Sequence, residues 1–150
     1  MCLLEKAWAK LHGSYLQIVS GQCDHVFLSL TNKPTQRIIH YDDENRKFDQ
    51  ESLWKKMSHA SVNRFNMTTG TSKRPPYNGL KQDHVYVVCD AISVREKGRE
   101  VRLVKIRDPH GLNIWEGDWS PNSLKWTPAL RIKIGMRAGP GEFYMAFDDY

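Results

Sequence analysis

In the opening stretch LLEKAWAKLHGSY, Leu3, Leu4, Ala7, Trp8, Leu11 and Tyr15 recur three or four positions apart, while Glu5, Lys6 and Lys10 fall between them. That spacing predicts an amphipathic helix stopped at Gly13. No Ser, Thr, Asp or Asn stands ahead of the first apolar residues to cap this helix, so the chain reads as a fragment that begins inside an element of a longer protein. The SGQCDHVF that follows reads as loop. A second helix is predicted from Asp49, its N-cap, to about Asn63, with Leu53, Trp54, Met57 and Ala60 along one side and Glu51 supporting Lys55. Residues 66 to 80, NMTTGTSKRPPYNGL, are punctuated by glycine and proline and predict a short strand near Met67 and then an irregular crossing.

From there the pattern changes period. HVYVVCDAI and VRLVKIR are rich in β-branched residues, flank the polar SVREKGRE, and predict an antiparallel hairpin. A turn centred near Glu96 sets His84 across from Asp108 on one sheet face. TPALRIKIGMR predicts a short helix capped by Thr127, begun by Pro128 and stopped by Gly135, and EFYMAF supplies the strand that closes the sheet. The expectation is an α+β fold forming a single domain over residues 1–150, with no internal repeat.

Composition narrows the function classes. No stretch approaches the ~18 uninterrupted apolar residues of a membrane helix, and Glu5 and Lys6 cut short the apolar start, so neither a membrane span nor a secretion signal is expected. Three cysteines, Cys2, Cys23 and Cys89, lack the paired spacing of disulfide scaffolds or zinc sites and fit a reducing, cytoplasmic compartment. The net charge of +5 is spread along the chain, with Lys73-Arg74 and the run from Arg95 to Arg99 in loops. No recognition-helix or RNA-binding pattern accompanies it, and a nucleic-acid partner is not expected.

The chemistry lies at the open end of the predicted hairpin. A histidine facing a carboxylate is the orienting half of an acid–base pair: His84 is the candidate base, and Asp108, accepting from its Nδ1, leaves Nε2 free to take a proton from a nucleophile. Cys89 reads as a buried thiol inside an apolar strand, and Cys23 has no context that marks a nucleophile. Trp115, Trp119 and Trp126 are candidates either for anchoring a peptide ligand or for packing the core.

Taken in order, LLEKAWAKLHGSY, DHVYVV, IRDPHG, WEGDWS and GEFYMAF resemble the second lobe of the calpain-type cysteine protease core, whose pieces run LLEKA-x-AK-x-x-GSY, GHAY, RNPWG, an EW-x-G-x-W-S run and GEFWMSF. The resemblance spans the chain. It implies a papain-like β lobe, a twisted antiparallel sheet with the N-terminal helix and a second helix packed on it, carrying the His and Asn of a Cys-His-Asn triad. His84 matches the catalytic histidine and Asp108 the asparagine. Three positions depart from the family pattern: Asp108 itself, His110 where the family has a shielding tryptophan, and Asp83 where it has glycine. The family's Cys-Trp context is absent from this chain, so a cysteine-bearing lobe is required as partner, with polypeptide as substrate, and the chain alone is expected to be inactive. The resemblance also implies a calcium site in this lobe, but the matching places read Ile114, Pro121, Ala138 and Pro140, with Glu142 the carboxylate kept, so no cofactor is expected. The alternative is a catalytically inactive calpain-like module serving as a structural or interaction domain in a larger intracellular assembly.

Overall fold

The computed structural model describes residues 2–39, 49–73, 78–112, 114–136 and 139–150. The chain forms two compact units, Met1–Phe48 and Asp49–Tyr150. The first holds helix α1 (Cys2–Leu11), a 3₁₀ turn (Tyr15–Ile18) and helix α2 (Cys23–Thr31). Gly13, at a φ of 93°, lies just beyond α1 in the left-handed conformation that glycine tolerates best. Helix α2 occupies the segment read from sequence as loop. Its start carries no side-chain cap, because Gln22 stands at the N-cap position. Its end is signalled: Asn32 at a φ of 51° donates its N–H to the Leu28 carbonyl oxygen, and Pro34 follows.

In the second unit, helix α3 (Gln50–Val62) begins where the Asp49 side chain accepts from the Ser52 N–H at 2.9 Å. Glu51 reaches Arg102 with two hydrogen bonds of 2.5 and 3.0 Å, which tie the helix to the sheet; no such bond links it to the predicted partner, Lys55. Strands β1 (Met67–Gly70), β2 (Val85–Glu96), β3 (Arg99–Arg107) and β4 (Glu142–Ala146) pair in that order, all antiparallel. Helix α4 (Pro128–Lys133) precedes β4, with Thr127 accepting from the Leu130 N–H as its cap. The architecture is α+β, as the pattern of periods predicts. Residues 74–77 of the predicted crossing lie outside the described residues.

The hairpin turn is Lys97-Gly98, with φ of 48° and 79°, not a turn centred at Glu96. Positive φ at both central residues makes the type I′ geometry whose twist suits paired strands. From this turn Glu96 pairs with Arg99 and Ala91 with Val104, but past Cys89 the pairing shifts, so that Val88 meets Ile106 and Val87 meets Arg107. Cys89 is thus the extra residue of a β-bulge, and it inverts the face alternation of everything before it in β2. The burial pattern follows. Tyr86, Val88 and Ala91 share a buried face with Val104, Ile106, Phe143 and Met145, and α3 covers it with Leu53, Trp54 and Met57. The opposite face carries Val94, Leu103 and Tyr144, packed with Trp119, Trp126 and Leu130.

Candidate functional site

The site stands where β2 begins and β3 ends. The β1–β2 ladder continues one step beyond the strands, with Thr71 N–H donating to the His84 carbonyl oxygen at 3.0 Å, and the β3–β4 ladder does the same, with Asp108 N–H donating to Gly141 at 3.0 Å. One further step of the β2–β3 register brings Tyr86, not His84, opposite Asp108, so His84 and Asp108 are diagonal neighbours rather than a directly opposed pair. They still share a face, because the observed register differs from the expected one by an even number of residues. Across the diagonal the far ring nitrogen makes the bond: His84 Nε2 lies 2.8 Å from Asp108 Oδ1. This reverses the sequence expectation, in which Nδ1 met the carboxylate and Nε2 was free. Nδ1 has no hydrogen-bond partner among the described residues.

Asp108 is a buried carboxylate, 1% exposed, held in a net of donors. Besides His84, its Oδ1 accepts from the His110 N–H at 3.1 Å, and its Oδ2 accepts from the Leu112 N–H at 3.0 Å. The Asp-Pro-His-Gly turn closes on the Asp108 carbonyl oxygen, which accepts from Gly111 N–H at 3.0 Å with Gly111 at a φ of 74°. Short acidic side chains favour such turns because they can accept from backbone N–H groups a few residues on. A buried anion with several donors is what burial requires.

Residues that the sequence reading did not single out fix the histidine. Thr71 Oγ1 accepts from the His84 N–H at 3.1 Å and donates to the Lys81 carbonyl oxygen at 2.6 Å, so one hydroxyl spans the turn leading into β2. Tyr86 sets its ring edge against the His84 ring at 4.8 Å while its hydroxyl accepts from the Lys81 N–H at 2.8 Å; burial pushes its phenol above the ordinary value. Farther along β2, the Ser61 hydroxyl of α3 donates to Asp90 and accepts from the Ala91 N–H, bracing the bulge. Nothing in GTSK or in a strand tyrosine marks these roles in sequence, since they depend on which strands become neighbours.

The departures acquire physical reasons. Asp83 sits at a φ of 49°, the left-handed region, so the family's glycine is matched here by one of the few other residues that enter it readily. The exposed ring of His110 lies 5.4 Å from that of His84, the planes tilted by 33°. Cys89 stands exposed at the bulge, not buried as its apolar surroundings predict, because the extra residue turns it outward. Partial burial, followed by the Glu142 carboxylate, nevertheless pushes its thiol above the usual range. Cys23 opens α2 in the other unit and is partly exposed.

The tryptophans pack. Trp115 donates to the Asp118 carbonyl oxygen at 2.7 Å, Trp126 donates to that of Ser120 at 2.8 Å, and Trp119 meets Trp126 edge to face at 4.9 Å. Among the positions that the resemblance matches to a calcium site, Glu142 is the one carboxylate. Glu142 is engaged by the Lys105 ammonium at 2.8 Å, which holds its carboxyl below the usual range. Ile114, Pro121 and Pro140 offer carbonyl oxygens alone, and Ala138 lies outside the described residues.

The family model for calpain family cysteine proteases matches residues 1–150. The chain is 35% identical to human calpain-14 over 153 aligned residues, covering 99% of this chain and 22% of that protein. It is 30% identical to the rat calpain-1 catalytic subunit, covering 99% and 21%, and 30% identical to rat calpain-8, covering 99% and 22%. The chain therefore spans about a fifth of the length of the relatives it matches.

Proposed function

This chain belongs to the calpain family of cysteine proteases, and from that premise we propose that its second unit is the papain-like lobe that supplies histidine and carboxylate to a cysteine peptidase completed by a cysteine-bearing segment. The observation that carries the reading is the 2.8 Å bond from His84 Nε2 to the buried Asp108 carboxylate. With Nε2–H committed to Asp108, the neutral ring keeps its lone pair on Nδ1, the nitrogen with which it takes the proton of a cysteine thiol. The thiolate attacks the peptide carbonyl carbon. The imidazolium, stabilised by Asp108, then returns the proton to the leaving amine as the C–N bond breaks, and water hydrolyses the thioester by the same base. His84 is the general base and acid; Asp108 is the positioning residue. The substrate is polypeptide and the setting intracellular.

A second reading, an inactive calpain-like module kept for interaction, is favoured by one observation: the position of the family's shielding tryptophan is held by the exposed His110. One experiment separates them. Joined to a calpain-type cysteine segment, the chain cleaves peptides, and His84→Ala lowers kcat by at least about a thousandfold. Without that segment it cleaves none. A joined protein that folds and shows no cleavage above the His84→Ala background speaks for the interaction module.

A further inference from the structure

The pair His84 and His110 has a geometry that proton transfer does not use. Their ring centroids are 5.4 Å apart. Two imidazoles sharing one tetrahedral Zn²⁺ place their centroids about 5 Å apart, since each nitrogen lies ~2.0–2.1 Å from the metal and the ring centre roughly 1 Å behind it. His84 is already set up as a ligand. Its Nε2–H donates to the Asp108 carboxylate at 2.8 Å, the outer support that metal-bound histidines characteristically have, and Nδ1 is left with its lone pair. The backbone of His110 is anchored by its own N–H to Asp108 Oδ1 at 3.1 Å, while its side chain is exposed, so only the ring has to turn.

Among the described residues no group of three His, Cys, Asp or Glu side chains is arranged for a metal. Two imidazoles with water in the remaining positions make a weak, exchangeable site, not a structural one. Imidazole selects Zn²⁺, Cu²⁺ or Ni²⁺ over Ca²⁺ and Mg²⁺, which take oxygen ligands. We propose that His84 Nδ1 and the His110 imidazole form a two-histidine site for a divalent transition-metal ion of the Zn²⁺ type. Where the proteolytic reading of His84 holds, on which this consequence rests, an ion on Nδ1 occupies the lone pair that takes the thiol proton. The site then acts as a reversible block on the enzyme.

The test uses Zn²⁺ and Cu²⁺ on the 150-residue chain, with no proteolysis needed. Calorimetry with Zn²⁺ is expected to give one saturable site. Affinity should fall at least about tenfold in His110→Trp, an exposed position where the fold is retained, and by a similar factor in Asp108→Asn through the weakened outer support. Substoichiometric Cu²⁺ should broaden the ring resonances of His84 and His110 before those of the other histidines. Equal broadening of all six histidines, or Zn²⁺ affinity unchanged by His110→Trp, overturns the site. In the completed enzyme, Zn²⁺ should inhibit the parent and spare His110→Trp at the same concentration. Binding that depends on both histidines in a protein with no peptidase activity leaves the site standing and removes the proteolytic reading instead.

Discussion

At the scale of single residues, the site depends on groups that satisfy backbone hydrogen bonds as much as on the His84–Asp108 pair itself. Thr71 bridges the His84 N–H and the Lys81 carbonyl oxygen with one hydroxyl. Thr71→Val should cost about 1–2 kcal/mol of stability through the unmet groups. In the completed enzyme it should also lower kcat at unchanged KM, with Thr71→Ser restoring both. A residue that only stabilises the fold would move the denaturation midpoint and leave kcat alone. Asp108 carries the same logic further. An asparagine there could still accept from His84 and His110 through its oxygen, but its NH₂ would face the Leu112 N–H, donor against donor. Asp108→Asn, although it restores the family residue, should therefore destabilise this chain by about 1–3 kcal/mol in urea unfolding. An unchanged midpoint would show that the turn repacks.

Among elements, β2 decides the site. Its apolar residues Tyr86, Val88 and Ala91 can share one face only if an extra residue lies between the last two, and Cys89 is that residue. Deleting Cys89 makes the strand regular without changing what Val88 and Val87 pair with. The His84–Asp108 bond should survive, at a cost of about 1–3 kcal/mol where closing the bulge disturbs the bonds of Ser61 to Asp90 and Ala91. Deleting Val87 instead moves Tyr86 and His84 to the opposite face and should abolish the bond. The hydrogen-bonded His84 Nε2–H resonance reads both outcomes. Its loss in the Cys89 deletion, or its persistence in the Val87 deletion, contradicts the register argument.

For the molecule as a whole, the second unit is a sheet covered on both faces, and its ionisable groups report that burial. Tyr144, buried against Trp126, has its phenol pushed up to about 12, mainly by burial and then by Asp90 and Glu142. Its folded value lies above the unfolded value of 10.0, so its stabilising contribution is complete below pH 10.0 and is lost as pH rises toward 12. Over that window stability should fall by roughly 1.4 kcal/mol per pH unit from this group. In Tyr144→Phe the decline should be shallower by that amount, as measured by denaturant titrations from pH 9 to 12. Among the described residues no helix is long and apolar enough to cross a membrane.

The chain's periodicities and caps determined a good deal without any fold: α3 from its Asp49 cap, α4 from Thr127-Pro128, the antiparallel β2–β3 hairpin, and the strands near Met67 and at EFYMAF. These are legible because caps, turns and alternation act within a few residues of one another. Helix α2 was not, since Gln22 supplies no start signal. Sequence also brought His84 and Asp108 together, through an expected register whose error was even and so preserved the face. What only the tertiary structure decided was the diagonal offset between them, the choice of Nε2 over Nδ1, the outward Cys89, the Thr71 and Tyr86 supports, and His110 beside His84. Each of these follows from the bulge and from strands distant in the chain becoming neighbours. One unpaired residue, stabilised by α3 from across space, reverses the phase of a strand in a way that no local pattern records.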